Sequence, residues 1–593
     1  MLKPANIKRP SLLNWHLFWG TVFIVSLVWS LQVAGIFSGE LVNPGGMTLV
    51  WQFLTAAVSP DLSPEFLQLT LNATLKTMSF AVCGTFLSVF FGTFLGLFSS
   101  EIWWKSVHPQ SARSPRIFWR AILAFPRSIH EALWGVFFVN IFGLDPLVAV
   151  VAIALPFGAI VAKVFSDILD ETPRNALFAV LNSGVSPAKA FLYTIFPQAF
   201  LNLLSYTFYR LECSIRSAAV LGTIGAGGLG YEILLSLQAL RYEQVWTLLI
   251  ALLILTGLTD IWSARLRHEL GAPSRLDLNL PSDSPPSSQG GAGGGSDSPP
   301  SSQGGAGGGS RSPSPNSQIS THRRISFPQF SAIFAIILIV FSFIYIDADY
   351  GKLWSPRTFD LLGGILDDAF PPQFGDLSQL FTLSKQTVAM SILAMTLAGF
   401  GGILLSFLAS NNLLLPGGIL DPIASKSDSK LSWGWIVLIV NRFVLLFSRA
   451  VPEPIWALIF LFILFPGILP GAIALGLHNL GILGRLMAEV TENLEQPPLR
   501  ALASLGADGP KVFLYGILPR TLPSFLAYIL YRWEVCIRST AIVGLVGAGG
   551  LGRLLAEQLS SFNYGGLLGT LTIFVGLTVA VDSISNLARR TLR

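Results

Sequence analysis

Apolar residues in this chain come in long uninterrupted runs, and polar residues are gathered between the runs. Residues 331–346 read SAIFAIILIVFSFIYI, and residues 245–263 read VWTLLIALLILTGLTDIWS. A run of about 20 apolar residues is long enough to cross the hydrocarbon core of a bilayer as a helix. The repeated runs therefore predict an all-α polytopic membrane protein that is embedded in the lipid bilayer.

We expect six spans on each side of a long polar stretch. The predicted spans are 17–36, 72–98, 118–142, 147–168, 199–221 and 245–263, then 330–347, 383–410, 434–464, 468–487, 521–543 and 566–586. An even number of spans places both termini on one side of the membrane. The segments on that side carry an excess of lysine and arginine, which marks the cytoplasmic side. We therefore expect a multi-pass protein of the inner (plasma) membrane with both termini in the cytoplasm.

Composition agrees with this picture and excludes some functions. Of 593 residues, 52% are hydrophobic and only 12% are charged, whereas soluble domains carry about 25% charged residues. The net charge is +5, but the basic residues lie in short loops rather than on one face, so no nucleic-acid partner is predicted. Cys83, Cys213 and Cys536 are far apart, so neither a metal site nor a disulfide framework is predicted.

One segment differs from the rest of the chain. SDSPPSSQGGAGGG occurs twice in tandem, at 282–295 and 296–309. A Gly/Ser/Pro tract of this kind has too little apolar surface to fold, and its 50-odd residues span roughly 40 Å as a flexible coil. The sequence therefore predicts two membrane domains, 1–270 and 326–593, joined by a disordered linker at 271–325.

The two domains are repeats of each other. YRLECSIRSAAVLGTIGAGGLG at 209–230 matches YRWEVCIRSTAIVGLVGAGGLG at 531–552, an offset of 322 residues. The same offset relates Arg127 to Arg449, far upstream. Two like halves in the same orientation predict a pseudo-two-fold axis along the membrane normal.

Each repeat ends in a glycine motif with the spacing G-x-G-x-x-G. A dinucleotide-binding turn with this spacing needs alternating strands and helices and an acidic residue about 20 positions later, and the chain offers neither. Within a membrane protein, dense glycines permit close helix packing or a break in a helix. We favour a hinge or cavity-lining turn over packing alone. The glycines concerned are Gly225, Gly227, Gly228, Gly230, Gly547, Gly549, Gly550 and Gly552.

Ionisable residues precede the glycines in both halves. Glutamate and arginine are spaced i, i+4, which places them on one helix face in the order that favours an ion pair. Ionisable groups within a span usually face a cavity or pathway. The arginines therefore either hold a phosphorus oxyanion, which arginine can bind with two parallel hydrogen bonds, or are neutralised by glutamate and are structural. The residues are Arg210, Glu212 and Arg216 in the first half and Arg532, Glu534 and Arg538 in the second.

A loop on the predicted cytoplasmic side also occurs twice. GVSPAKAFLYTIFP at 184–197 and GADGPKVFLYGILP at 506–519 both place proline 13 positions after glycine. This resembles the coupling loop of binding-protein-dependent ABC importers, in which a glycine turns between two helices and a proline starts the next span. The residues that carry the match are Gly184, Lys189, Pro197, Gly506, Lys511 and Pro519. The glutamate of that family pattern is replaced by Phe178 and Arg500.

The stretches RAVPEPIWALIF, from residue 449, and YRWEVCIRSTAIVGLVGAGGLG closely resemble the permease subunit of phosphonate-type ABC importers. The first half matches more loosely, through RSIHEALWGVFFVNIFGLDP and its own glycine motif. The resemblance implies two six-helix type I ABC importer transmembrane domains fused in tandem in one chain. It also implies two copies of an ABC ATPase on the cytoplasmic face, which bind the ATP and Mg²⁺, and a substrate-binding protein outside.

On this resemblance we expect a transport subunit for phosphonate, phosphite or phosphate that is not itself an enzyme, has no catalytic residue and binds no cofactor. A methionine-type or other small-solute ABC importer permease remains an alternative within transport. An ATP-independent secondary transporter is an alternative that the paired loops argue against. A membrane enzyme would need a cluster of catalytic His, Asp or Cys within the spans, and the sequence offers none.

Overall fold

The computed structural model describes residues 15–37, 43–107, 113–270, 327–415 and 433–592, and the predicted linker at 271–325 lies outside these ranges. The regular elements of the described first half are eleven helices: α1 Trp15–Val33, α2 Pro44–Ala56, α3 Pro64–Ser99, α4 Glu101–Val107, α5 Arg113–Ser128, α6 Glu131–Phe142, α7 Pro146–Glu171, α8 Asn175–Asn182, α9 Pro187–Leu221, α10 Leu229–Gln238 and α11 Tyr242–Leu270. A π-helical turn, Gly222–Ala226, follows α9.

The described second half repeats this order. Its helices are α12 Phe327–Ile346, α13 Pro356–Ala369, α14 Leu377–Leu408, α15 Asn411–Leu414, α16 Trp433–Ala450, α17 Glu453–Ile463, α18 Ile468–Glu492, α19 Gln496–Ser504, α20 Gly509–Val512, α21 Leu518–Leu545, α22 Gly550–Ser560 and α23 Tyr564–Leu592. A 3₁₀ turn at Tyr350–Trp354 precedes α13, and a π-helical turn at Phe513–Ile517 precedes α21. The all-α fold class is confirmed.

The described residues hold fewer helices of spanning length than the twelve spans predicted, and two of the predicted spans are broken. Within the described ranges, nine helices are long and apolar enough to cross a membrane, or eleven if each of two bent pairs is one span. The predicted span 118–142 bends by 83° between α5 and α6. The predicted span 434–464 is interrupted between α16 and α17 at Pro452. Proline has no backbone N–H to donate within a helix, so a break at this position is expected.

Glycines allow the two long helices of each core to lie close together. An added Cβ on Gly84 would come within 2.7 Å of Ile153, and one on Gly92 within 2.6 Å of Val161. Both pairs are separated by 69 positions, which means that α3 and α7 run in the same direction. In the second half, Gly402 faces Leu483 in the same way. Small residues at such contacts supply the close packing on which helix association in membranes depends.

The first helix of each half packs on the opposite half. Helix α1 lies against α14 and α23, and Trp19 Nε1 donates to Thr591 Oγ1 at 2.7 Å. Helix α12 lies against α3 and α11, and Trp262 Nε1 donates to Ser331 Oγ at 3.3 Å. The repeat pattern does not predict this exchange. It ties the two halves together through helix packing, independently of the linker.

Candidate functional site

The glycine motif both ends a helix and lets the next one pack closely. Gly225, Gly227 and Gly228 have φ values of 103°, 93° and 79°, a left-handed conformation that glycine adopts without strain. The chain bends by 56° between α9 and α10. A Cβ on Gly230 would lie 1.8 Å from the carbonyl oxygen of Ala219. The expected turn is confirmed, and close packing is part of the same motif.

The second copy has the same geometry. Gly547, Gly549 and Gly550 have φ values of 101°, 84° and 70°, and a Cβ on Gly552 would lie 2.4 Å from the carbonyl oxygen of Ala541. That these glycines form a gate or line a pathway stays a prediction.

A threonine from the long core helix fixes the start of the helix that follows the glycines. The hydroxyl oxygen of Thr77 accepts a hydrogen bond from Leu229 N at 2.8 Å. The hydroxyl oxygen of Thr387 accepts one from Leu551 N at 2.9 Å. The first N–H groups of a helix have no partner within the helix, so an oxygen placed there satisfies one of them. The offset between the threonines is 310 and that between their donors is 322, so twelve extra residues of the second half lie between them.

The two predicted ion pairs differ between the halves. Arg216 Nη2 lies 3.9 Å from Glu212 Oε1, the outer limit of an ion pair. Arg538 Nε instead donates to the backbone carbonyl of Glu534 at 3.1 Å. The Glu534 carboxylate contacts Arg589 at 2.5 Å. The expected side-chain pair is therefore weak in the first half. In the second half it does not form, because Arg589 on α23 lies closer to Glu534 and pairs with it.

The neighbouring arginines are bound by different partners. Arg210 donates from Nε and Nη2 to the Tyr206 hydroxyl at 2.8 and 2.6 Å. Its guanidinium also lies 5.0 Å from the ring centroid of Phe157. Arg532 donates from the same two nitrogens to Asn479 Oδ1 at 3.0 and 2.6 Å. Asn479 and Phe157 are equivalent positions, so one substitution decides whether an amide or an aromatic ring faces the arginine.

A charge cluster joins the two halves. Arg449 at the end of α16 reaches Glu212 Oε1 at 3.4 Å and also contacts Asp260 Oδ2, both in the first half. Arg449 is 8% exposed and Glu212 is 2% exposed. From the sequence, Arg449 served only to align the two halves, and Asp260 was not identified. The available signal was an aspartate inside the apolar run of 245–263, since acids in spans usually mark interior sites.

The equivalent residues on the other side are Arg127, Glu534 and Asp582, which lie 322 positions from Arg449, Glu212 and Asp260. Here the cluster does not form. Among the described residues, none accepts a hydrogen bond or an ion pair from Arg127, and Oδ1 of Asp582 is buried without a hydrogen-bond partner. The two equivalent contacts between the halves therefore differ, because the charge cluster forms around Arg449 and does not form around Arg127 among the described residues.

Two buried glutamates at the start of α6 and α17 were also missed. Glu131 Oε1 accepts a hydrogen bond from the Ser217 hydroxyl at 2.5 Å, and Glu131 Oε2 lies 3.0 Å from His130 Nδ1. Glu453 occupies the equivalent position and lies 3.4 Å from His478 Nε2. The two histidines lie at different places in the fold. His478 belongs to α18, whereas His130 is the residue just before α6. A glutamate followed by an apolar run is also an ordinary helix start, so the sequence alone does not single these residues out.

The predicted coupling loops form two helices joined at a glycine. Gly184 and Gly506 have φ values of 82° and 86°, so the turn is confirmed in both halves. Pro519 lies at the start of α21 as expected. Pro197 does not start a span, because α9 continues through it from Pro187 to Leu221.

Lys189 and Lys511 on these loops are both exposed. Phe178, one of the two replacements of the family glutamate, is 46% exposed.

Within the described ranges, no group of three or more His, Cys, Asp or Glu is placed to hold a metal ion.

Comparison with known proteins gives matches in both halves. The family model described as "Binding-protein-dependent transport system inner membrane component" matches residues 69–270 and 424–593. The "Phosphate-import permease protein PhnE" of Mycolicibacterium smegmatis is 27% identical over 477 residues, which cover 80% of this chain and 77% of that protein. The "Phosphite transport system permease protein PtxC" of Stutzerimonas stutzeri is 30% identical over 260 residues, which cover 43% of this chain and 87% of that protein. No solved structure matches significantly.

Proposed function

Because the chain belongs to the family of binding-protein-dependent transport system inner membrane components, we propose that it is the permease of an ATP-driven importer for phosphonate, phosphite or phosphate. The observation that carries this proposal is the relationship to a phosphate-import permease across both halves of the chain. A phosphite permease of 30% identity, matched over most of its length, supports the same substrate class.

The charges at the contact between the halves support an anionic substrate. Arg216 and Arg538 lie within α9 and α21, just before the glycine turns. Arginine stays protonated at any physiological pH and offers a planar set of donors that suits phosphorus oxyanions. Interior cations therefore lower the cost of moving an anion through a membrane protein, because the anion exchanges water for fixed positive charge.

The driving force would come from a partner. We propose that two copies of an ABC ATPase, which bind the ATP and Mg²⁺, dock on the two coupling loops from the cytoplasm. The loops present an exposed apolar pair in each half, with Tyr193 75% exposed and Tyr515 77% exposed, each preceded by an exposed leucine. Exposed apolar patches of this kind are typical of protein contacts.

ATP-driven closure of the two ATPases would move the loops together and switch the interface between the halves from inward-facing to outward-facing. In this proposal the chain lies in the inner (plasma) membrane with both termini in the cytoplasm, and a substrate-binding protein delivers the substrate from outside. The chain itself would be a transport subunit without catalytic residues or a cofactor.

Uptake tests the substrate class. Cells that can metabolise phosphite but lack their own uptake system receive the chain with its ATPase and binding protein, and phosphite or methylphosphonate is the sole phosphorus source. We expect growth with the intact chain and none with R216A/R538A at equal membrane levels. Growth with both would make the arginines structural. Growth with neither would contradict the substrate class and favour the methionine-type alternative, which labelled methionine uptake then tests.

The need for an ATPase is tested on the same cells. We expect the ATPase subunit to co-purify with the intact chain and to be lost from Y193A/Y515A. Uptake that persists without any ATPase would favour the secondary-transporter alternative instead.

A further inference from the structure

An apolar cavity lies at the contact between the two halves. Its volume is about 340 Å³, and its walls come from α5 and α6 of the first half and from α13, α22 and α23 of the second. The described residues that line it are all aliphatic or aromatic, and none is charged. An apolar cavity of roughly 150 Å³ in a protein core stays free of water and binds benzene. The larger space here, which we call the apolar cavity, therefore suits a hydrocarbon guest and offers an anion no partner.

The apolar cavity continues a packed contact between the halves. Beside it, Ile129 and Leu133 of the first half pack in one buried cluster with Leu555 and Leu559 of the second. The same four residues also line the cavity. A guest in the cavity would therefore touch both halves and extend their apolar interface.

The apolar cavity is open at the surface of the molecule. Phe125 on α5 is 54% exposed, and Leu366 and Phe370 are 58% and 63% exposed. Helices α5 and α23 both belong to segments that are long and apolar enough to cross a membrane. On α23 the lining runs from Tyr564 to Leu571, a rise of about 10 Å, and one leaflet of the hydrocarbon core is about 15 Å thick. The cavity therefore opens where lipid chains surround the protein.

The equivalent place on the other side of the contact is filled by the protein itself. Leu568, which lines the apolar cavity, corresponds to Trp246 at the offset of 322. The Trp246 ring stacks on Phe447 with 5.7 Å between centroids and lies 5.1 Å from the ring of Phe53. Its Nε1 donates to the Phe53 carbonyl oxygen at 2.6 Å. The cavity that remains at Phe53 measures about 10 Å³, which is too small for a hydrocarbon chain.

The aromatic frame around the two places is the same. Phe125 meets Trp134 edge to face at 6.2 Å and 86°, and the equivalent pair, Phe447 and Trp456, meets at 5.7 Å and 85°. Because this frame repeats, we attribute the open volume to the leucine at position 568, where the other half has an indole.

An empty cavity deprives the side chains around it of dispersion contacts, so a cavity that opens to lipid gains by taking up hydrocarbon. We propose that the apolar cavity holds an acyl chain of one bilayer phospholipid, which packs between the halves as Trp246 does on the other side. The site is one per chain, since the equivalent place is already filled. The inference does not depend on which solute the permease carries.

Photolabelling in a bilayer tests the site. The purified full-length chain is placed in nanodiscs that contain phosphatidylcholine with a diazirine on one acyl chain, and labelled residues are located by peptide mass spectrometry after illumination. We expect labelling of the cavity lining in the intact chain and a roughly tenfold loss in Leu568→Trp, because the indole takes the space of the acyl chain. Leu568→Phe, with a smaller ring, should give a partial loss. Labelling at Ile336 on α12, which is 63% exposed, is the internal control and should not change.

Trp246→Leu is the matched reverse change and should add labelling at Ile459, which lines the small cavity. Native mass spectrometry of the detergent-extracted chain identifies the occupant, and we expect one more retained phospholipid in the intact chain than in Leu568→Trp. A cavity lining that is not labelled in the intact chain would overturn the proposal, as would labelling that is equal in the intact chain and both variants at position 568. A second polypeptide retained in place of the phospholipid would overturn it as well.

Discussion

Arg449 and Arg127 hold equivalent places before a break in a helix, but within the described part of the chain only Arg449 of the two reaches carboxylates of the opposite half. The glycine turns, the threonine caps and the coupling-loop turns repeat closely in both halves. The backbone of this chain therefore repeats at these turns and caps, whereas its ion pairs do not repeat. Backbone turns follow from local sterics, which the repeated glycines reproduce. Ion pairs depend on which long side chain lies within reach of a given carboxylate, and Glu534 is paired with Arg589.

The largest expected effect comes from removing the arginine that joins the halves. Arg449→Ala leaves Glu212 and Asp260 without a cross-half cation, and breaking a buried pair in this way costs about 3–5 kcal/mol. Arg127→Ala removes a cation that has no ion pair among the described residues, so we expect a change within about 0.5 kcal/mol or a slight stabilisation. The unfolding midpoints of the two variants in the same detergent measure the difference.

Arg449→Lys is the control, because it keeps the charge and loses the fork of donors. We expect an intermediate loss of stability. Equal destabilisation by R449A and R127A would contradict the difference between the two sides.

The next largest loss of stability is expected at the close helix contact after the glycine turn, a feature that the two halves share. Gly230→Ala places a Cβ 1.8 Å from the carbonyl oxygen of Ala219, and Gly552→Ala places one 2.4 Å from that of Ala541. Overpacking typically costs about 1–3 kcal/mol and occasionally more, so both variants are expected to lose stability, Gly230→Ala the more. Gly257→Ala on α11 meets nothing within 4 Å and serves as the neutral control. A stable Gly230→Ala would show that α9 and α10 are not held at this contact.

A smaller and equal effect is expected at the threonine caps. Thr77→Val and Thr387→Val keep the shape of the side chain but leave the N–H of Leu229 or Leu551 without its acceptor. Both threonines are buried, and an unsatisfied buried donor costs about 1–2 kcal/mol. The two changes in unfolding free energy should agree within about 0.5 kcal/mol. A clear difference between them would mean that the asymmetry of the charges extends to the backbone contacts.

The smallest effect is expected from cutting the covalent connection between the halves. A protease site within 282–309 lets the linker be cleaved after membrane insertion. The halves should co-purify and retain transport, because the exchanged helices α1 and α12 and the Arg449 cluster hold them together. Loss of transport while the halves still co-purify would show that the linker is more than a tether.

The sequence determined the features that depend on local pattern. Apolar runs predicted the all-α membrane fold, the offset of 322 predicted two like halves, and the glycine motif predicted a helix break. The resemblance to phosphonate-type permeases rested on short stretches such as RAVPEPIWALIF, and the family match bears it out. These features can be predicted from the sequence because span length, left-handed backbone and family motifs are properties of neighbouring residues.

Tertiary structure decided which side chains meet. Arg449 and Glu212 are 237 positions apart, and nothing local to either residue indicates that partner. The expected Glu534–Arg538 pair fails because Arg589, from another helix, lies closer. The exchange of α1 and α12 and the difference between the Arg449 cluster and its unformed counterpart at Arg127 have the same physical origin. A sequence repeat fixes equivalent backbones, but side-chain pairing depends on short distances across the interface, where small differences in reach select a different partner.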